Sequence, residues 1–283
     1  MREAPVTIAI LVLTGLVTWR AFQDRALLER LVFRPERVLL GREYHRLFSS
    51  ALIHADWWHF GFNAFALWMF GGLIEGAVGW RMLLAVYVGA ILGGSLLALV
   101  VHLHHAYAAL GASGGVSGAV FAATFFFPDM RVSLLFLPIS APAWISALVF
   151  IAISFFGSRQ RWGNIGHEAH LGGALAGLAI AMIAYPGLVA RVDWRMGVVI
   201  AAGVTSLVLL LKFPQGVGGR LLAGSAGEHK SNIRYQDYDR ARERNARRAR
   251  LDALLERIAQ RGMHSLTAAE RRELEELSKN ARR

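Results

Sequence analysis

The sequence predicts an all-α polytopic membrane protein with seven transmembrane helices, the last of them C-terminal. Two observations carry this. Hydrophobic residues make up 55% of the 283 and charged residues only 18%, at a mean hydropathy of +0.40, too little charge for an ordinary soluble domain of this length. The apolar residues also fall in repeated runs that approach the ~20 residues a helix needs to cross a bilayer core. The runs are long and do not alternate, which argues against sheet and against a barrel.

Spans are expected at 5–22, 49–74, 82–101, 111–127, 134–156, 168–186 and 196–213. The first resembles a secretory signal, but no small-x-small site follows it and Trp19-Arg20 suits an interfacial anchor, so a retained span is expected. Between the first two spans, Leu27, Leu28, Leu31 and Val32 recur at helical spacing among charges, as in an amphipathic helix lying in the interface. Pro128-Asp129 closes the fourth span, Pro138 and Pro142 stand near the start of the fifth, and Tyr185-Pro186-Gly187 ends the sixth.

Past Phe213 the composition changes. Gly216, Gly218, Gly219, Gly224 and Gly227 mark a linker at 214–235. In the tail at 236–283, Leu251, Leu254, Leu255 and Ile258 form one apolar face, Gly262 suits a helix stop, and Thr267-x-x-Glu270 is a capping box ahead of Leu274 and Leu277. A basic helical hairpin is expected. The whole chain carries a net charge of +11, and Lys212 to Arg283 holds 17 Lys or Arg against 10 Asp or Glu. Such a tail suits contact with anionic lipid or a solvated helical surface, and no nucleic-acid partner is expected. The remainder divides into a core at 1–190 and an additional helix at 191–213. Cysteine is absent, which excludes disulfides and thiolate chemistry and leaves the compartment unread.

Polar residues inside spans are costly and therefore functional candidates. The second span begins with His54, Asp56, His59 and Asn63. The fourth begins Gly111-Ala112-Ser113-Gly114-Gly115-Val116-Ser117-Gly118, and the sixth Glu168-Ala169-His170-Leu171-Gly172-Gly173, followed by Gly177. Consecutive spans alternate in direction, so the starts of spans two, four and six lie at one depth and can converge. Gly111/Gly115 and Gly114/Gly118 are small-x-x-x-small pairs that let helices approach closely, and His170 shares a helical face with Gly173 and Gly177. A serine hydroxyl needs a neighbouring imidazole to accept its proton. Backbone N–H groups at a helix start, with His59 and Asn63 one turn apart, could hold an oxyanion.

At these residues the chain resembles the rhomboid family of intramembrane serine proteases over roughly 43–185. Glu43-Tyr-His-Arg46 leading to His54, His59 and Asn63 is similar to the family's first loop and its His-x-x-x-x-His-x-x-x-Asn signature. Gly111-Ala-Ser113-Gly114 is similar to the Gly-x-Ser-Gly nucleophile motif, and His170-Leu-Gly-Gly-Ala-Leu-Ala-Gly177 to the catalytic-histidine helix. The resemblance implies a rhomboid-like six-helix bundle and a bacterial-type member of a bacterial cytoplasmic (inner) membrane. It implies a Ser113–His170 dyad without an acidic third member, an oxyanion held by His59, Asn63 and the Ser113 N–H, and hydrolysis of peptide bonds in or near transmembrane segments of client proteins. Arg46 carries over as a structural residue of the first loop and Glu75 as a buried hydrogen-bonding partner at the far end of the second span. No cofactor and no metal is implied.

Two departures stand out. The family's loop tryptophan is Tyr44 or His45 here. The position where some members stack an aromatic residue on the histidine is Ser117. Since Gly115-Val116-Ser117-Gly118 repeats the nucleophile pattern, Ser117 is an alternative, with Ser113 preferred because first-turn N–H groups are free there. His167-Glu168-x-His170 lacks the four-residue histidine spacing of a zinc-protease helix. A catalytically inactive rhomboid-like protein that only binds transmembrane clients is the other reading. With a cytoplasmic N-terminus, seven spans place both the basic tail and the Arg-rich 20–46 connection outside, against the positive-inside bias.

Overall fold

The computed structural model describes residues 4–103, 107–133, 140–160, 162, 165–190 and 192–213, with short stretches between 254 and 274. The chain forms two units, Met1–Gly219 and Arg220–Arg283. His104, His105, Pro138, the glycine-rich linker, Leu251, Leu255 and Leu277 lie outside the described residues.

The first unit opens with α1 (Pro5–Gln23). Its buried stripe is Thr7, Thr14, Thr18 and Ala21, while Ile8, Val12, Leu13 and Leu16 are each more than half exposed. Small and hydroxylated residues turned inward with branched apolar ones turned outward is the pattern of a helix whose solvent is lipid. The connection then folds as α2 (Arg25–Leu31), α3 (Pro35–Leu39) and α4 (Arg46–Ser49) with a 3₁₀ turn, Ser50–Leu52. Arg46 anchors it. Buried to 5% exposure, its guanidinium donates to the carbonyls of Glu29 and Val32, each at 2.7 Å, and pairs with Glu43. That guanidinium holds the Glu43 carboxyl below the usual carboxylate range.

The next helical stretch is a composite of α5 (Trp57–Ala66), a π-helical turn (Leu67–Gly71) and α6 (Gly72–Ala77). The helical stretch therefore starts at Trp57 rather than at 49, because Asp56 caps it by accepting the His59 N–H at 2.8 Å. After α7 (Trp80–Val101) and α8 (Ser113–Phe126) come two short antiparallel strands, β1 (Arg131–Ser133) and β2 (Ser140–Pro142), paired Arg131↔Pro142. Sheet was not expected, and strands of three residues are too short to show alternation. Pro142 precedes α9 (Ala143–Gln160), which therefore starts later than the expected 134. The unit finishes with α10 (His167–Ala184), α11 (Pro186–Val189) and α12 (Trp194–Lys212). Among the described residues, five helices (α1, α7, α9, α10 and α12) are long and apolar enough to cross a membrane, and the shorter apolar α8 stands among them.

α10 packs most extensively on α7 and α8, and these three form the centre of the unit. Their contact is made by glycine. A Cβ on Gly173 would overlap the Gly114 carbonyl, one on Gly177 would overlap the Gly118 backbone, and one on Gly94 would overlap the Ala169 carbonyl. Around this centre lie Leu83, Val86, Ala119, Phe121, Leu171 and Ala174, all buried.

On α6, Glu75 accepts from the N–H groups of Val6 (2.8 Å) and Thr7 (2.7 Å) and from the Thr7 hydroxyl (2.7 Å). The N-cap of α1 supplies no side-chain bond of its own, so a carboxylate from another helix satisfies its orphan first-turn donors. Glu75→Ala strands those donors in a buried setting and is expected to destabilise the protein by about 2–4 kcal/mol. A lowered unfolding midpoint in detergent is the readout, and an unchanged midpoint contradicts this account of Glu75.

In the second unit, Leu254 and Leu266 are buried. Gly262, at φ +78°, donates to the Ile258 carbonyl at 2.7 Å, and Thr267 and Glu270 exchange the two bonds of a capping box.

Candidate active site

The serine and the imidazole meet. Ser113 is the first residue of α8 and His170 stands in the first turn of α10; His170 Nε2 lies 2.7 Å from Ser113 Oγ. The approach follows from the glycines beside and below the pair, because Gly114 against Gly173 and Gly118 against Gly177 leave no room for a Cβ between the two helices. Ser117 is occupied otherwise. Its hydroxyl donates to the Ser113 carbonyl at 2.7 Å, the i−4 bond common to serine within apolar helices.

α8 has no side-chain cap, so its first N–H groups have no intrahelical partner. The preceding residues are tightly held. Gly111 adopts φ +122°, its N–H donates to the Ser50 carbonyl at 2.9 Å, and a Cβ there would fall 2.6 Å from Cε1 of His59. Only glycine satisfies both the conformation and the space. The His59 ring thus lies against the loop that delivers Ser113. Its Nδ1 accepts from the Ala55 N–H at 3.4 Å, and Cε1 and Nε2 are the ring atoms turned toward Gly111. Asn63 sits one turn on, buried, its Nδ2 donating to the His59 carbonyl at 2.8 Å. One of its two amide protons is therefore committed to its own helix.

His54 takes a supporting place. It is 1% exposed, its Nδ1 lies 3.1 Å from the Thr18 hydroxyl on α1, and its Nε2 accepts the Ala112 N–H at 3.3 Å. With His59 edge-on at 5.1 Å, it links α1 to the residue before Ser113. Arg46 and Glu75 lie elsewhere, in the first connection and at the α1 terminus. Among the described residues, no three His, Asp or Glu side chains lie close enough together to hold a metal ion.

Sequence reasoning missed two features. Phe150 of α9 lies beside the His170 ring, with centroids 6.0 Å apart and planes tilted by 32°, an aromatic neighbour from a different helix than the motif suggests. The other is a buried polar group around Glu168, in which Ser158 and His102 take part. Both partners come from other elements, and no local spacing signals them.

The fold defines the class: an integral multi-pass helical membrane protein, here with a serine–imidazole contact where glycine-packed helices meet. The comparison with known families specifies which: the rhomboid domain model matches residues 41–187, just over half of the chain. The chain belongs to the rhomboid family. A family of unknown function, DUF6576, matches residues 237–280. Rhomboid protein 1, mitochondrial, of Saccharomyces cerevisiae is 30% identical over 164 residues, covering 56% of this chain and 45% of the relative. RHOMBOID-like protein 12, mitochondrial, of Arabidopsis thaliana is 31% identical over 188 residues, covering 60% and 53%. Presenilin-associated rhomboid-like protein, mitochondrial, of Homo sapiens is 31% identical over 132 residues, covering 46% and 35%. The chain thus spans about half or less of the length of these curated relatives.

These relatives correct two expectations, a bacterial-type member and a bacterial inner membrane. They are eukaryotic mitochondrial rhomboids. The physical reason for the error is plain, since apolar helices of this length suit any bilayer of similar thickness and a chain without cysteine carries no redox signal. An integral multi-pass membrane protein is supported.

Proposed function

We propose that the chain is an intramembrane serine endopeptidase that hydrolyses peptide bonds in or near transmembrane segments of other membrane proteins through a Ser113–His170 dyad. The observation that supports this is the 2.7 Å contact between Ser113 Oγ and His170 Nε2. Ser113 Oγ attacks the scissile carbonyl while His170 Nε2 takes the hydroxyl proton. The carbonyl oxygen, now an oxyanion, is held by the Ser113 N–H, the His59 Nε2–H and the remaining Asn63 amide proton. As the tetrahedral centre collapses, the carbon–nitrogen bond breaks and His170 passes its proton to the leaving amine. Water then attacks the acyl ester, with His170 again accepting and returning a proton, and Ser113 is regenerated. Gly111 and Gly114 admit the close backbone approach, and His54 steadies Ala112.

On this reading the α5–α6 crossing and α8 also span, giving a six-helix rhomboid core at 1–190 and a seventh helix at 191–213. The linker at 214–235 leads to a basic tail at 236–283 that touches anionic lipid headgroups. The substrate is a transmembrane segment that unwinds near a small residue.

A fluorophosphonate probe followed by peptide mapping tests the proposal. Modification is expected on Ser113 in the unsubstituted chain and in Ser117→Ala. A modified Ser117, or cleavage persisting in Ser113→Ala, removes the proposal.

A further inference from the structure

The first turn of α10 carries two buried polar side chains that the dyad chemistry does not use. Glu168 is 5% exposed. Its Oε1 accepts the Ser158 hydroxyl at 2.6 Å, near the end of α9, and lies 3.4 Å from Nε2 of His102, the residue that closes α7. That second contact has ion-pair distance without hydrogen-bond alignment. His102 stacks on Tyr107 at 3.8 Å with the planes 6° apart. His167, equally buried, places Nε2 3.2 Å from the Trp162 carbonyl, and its ring fills the space that Gly157 leaves. One carboxylate thus ties the end of α7 and the end of α9 to the start of α10.

A helix-start acid gains from the helix dipole even when exposed, so that benefit does not account for the burial. Burying a carboxylate among spanning helices is unfavourable unless it is bonded in place, and an apolar residue would fill the same volume. What the bonded carboxylate adds is a fixed rotation of the turn. His170 follows two residues later in that turn, so a small movement of the turn carries its imidazole away from Ser113, and displacements of about 1 Å can lower rates ~100-fold.

We infer that Glu168 is a positioning residue. Through Ser158 and His102 it locks the first turn of α10 at the rotation where His170 Nε2 meets Ser113 Oγ. It touches neither substrate nor nucleophile. This role rests on the Ser113–His170 reading above.

The test follows fluorophosphonate labelling of the purified full chain over time, in Glu168→Ala, Glu168→Gln and Ser158→Ala, together with kcat and KM on a transmembrane substrate. Glu168→Ala is expected to lower the labelling rate constant and kcat about tenfold, with KM within about twofold and the final labelled fraction unchanged. Glu168→Gln, whose carbonyl still accepts from Ser158, is expected to recover to within about threefold, and Ser158→Ala to fall between. A fall in labelled fraction at an unchanged rate constant overturns the inference, because loss of folded protein alone produces it. Should Glu168→Ala not fold, unchanged rate constants in both Glu168→Gln and Ser158→Ala overturn it equally. Absence of labelling in the unsubstituted chain overturns the dyad reading as well, whereas normal labelling there with an unchanged rate in the variants overturns the positioning role alone.

Discussion

His170→Ala is expected to lower cleavage of a fluorogenic transmembrane substrate by about 10³- to 10⁵-fold, with the unfolding midpoint in detergent nearly unchanged. A serine hydroxyl is a weak nucleophile at neutral pH, and on the proposed mechanism the imidazole 2.7 Å away takes its proton. His59 and His54 do not substitute for it. The His59 ring lies against Gly111, and both nitrogens of His54 are engaged with Thr18 and Ala112. Ser113→Ala is expected to lose as much, and the double variant no more than either single one, because two groups that act as a unit are lost together. Steady-state cleavage in proteoliposomes measures all three. A His170→Ala protein within tenfold of the unsubstituted rate rules out general-base catalysis by that residue.

The second large effect comes from a residue that touches no substrate. Gly177→Val places side-chain atoms where the backbone of Gly118 already lies. Backbone cannot swing aside as a flexible side chain can, so α8 and α10 must separate. Parting by about 1 Å stretches the serine–imidazole contact beyond hydrogen-bond reach, and a loss of activity of about 100-fold or more is expected. Overpacking also costs about 1–3 kcal/mol. Gly197→Ala is the matched control, since nothing lies within 4 Å of a Cβ there, and it is expected to be neutral. Thermal unfolding and substrate turnover, measured on both variants, separate the two effects. Equal activity of Gly177→Val and the unsubstituted chain contradicts glycine-set spacing.

The serine–imidazole contact was legible from residues because both side chains occupy helix starts. Ser113 and His170 stand in the first turns of α8 and α10, and His59 and Asn63 in the first two turns of α5, where alternating span direction leads one to expect a common depth. The helical spacing of Gly173 and Gly177 from His170 likewise marks the packing face. Legibility falls where a neighbour comes from another element. Asn63 offers a donor in either view, yet only the fold assigns one of its protons to the His59 carbonyl. The motif points to position 117 for an aromatic partner of the histidine, while Phe150 approaches from α9. The π turn at Leu67–Gly71 and the three-residue strands leave no periodicity long enough to read.

By itself the sequence determined the membrane-protein class, the approximate spans, and the helix faces that carry glycine, serine and histidine. These are local properties, set by hydropathy over about twenty residues and by a 3.6-residue period. Only the tertiary structure decided which of two serines meets the imidazole, and that Glu168 is hydrogen-bonded to Ser158 of α9 and lies beside His102 at the end of α7. Periodicity fixes the direction a side chain leaves its own helix, whereas its partner depends on how closely and at what rotation two helices cross.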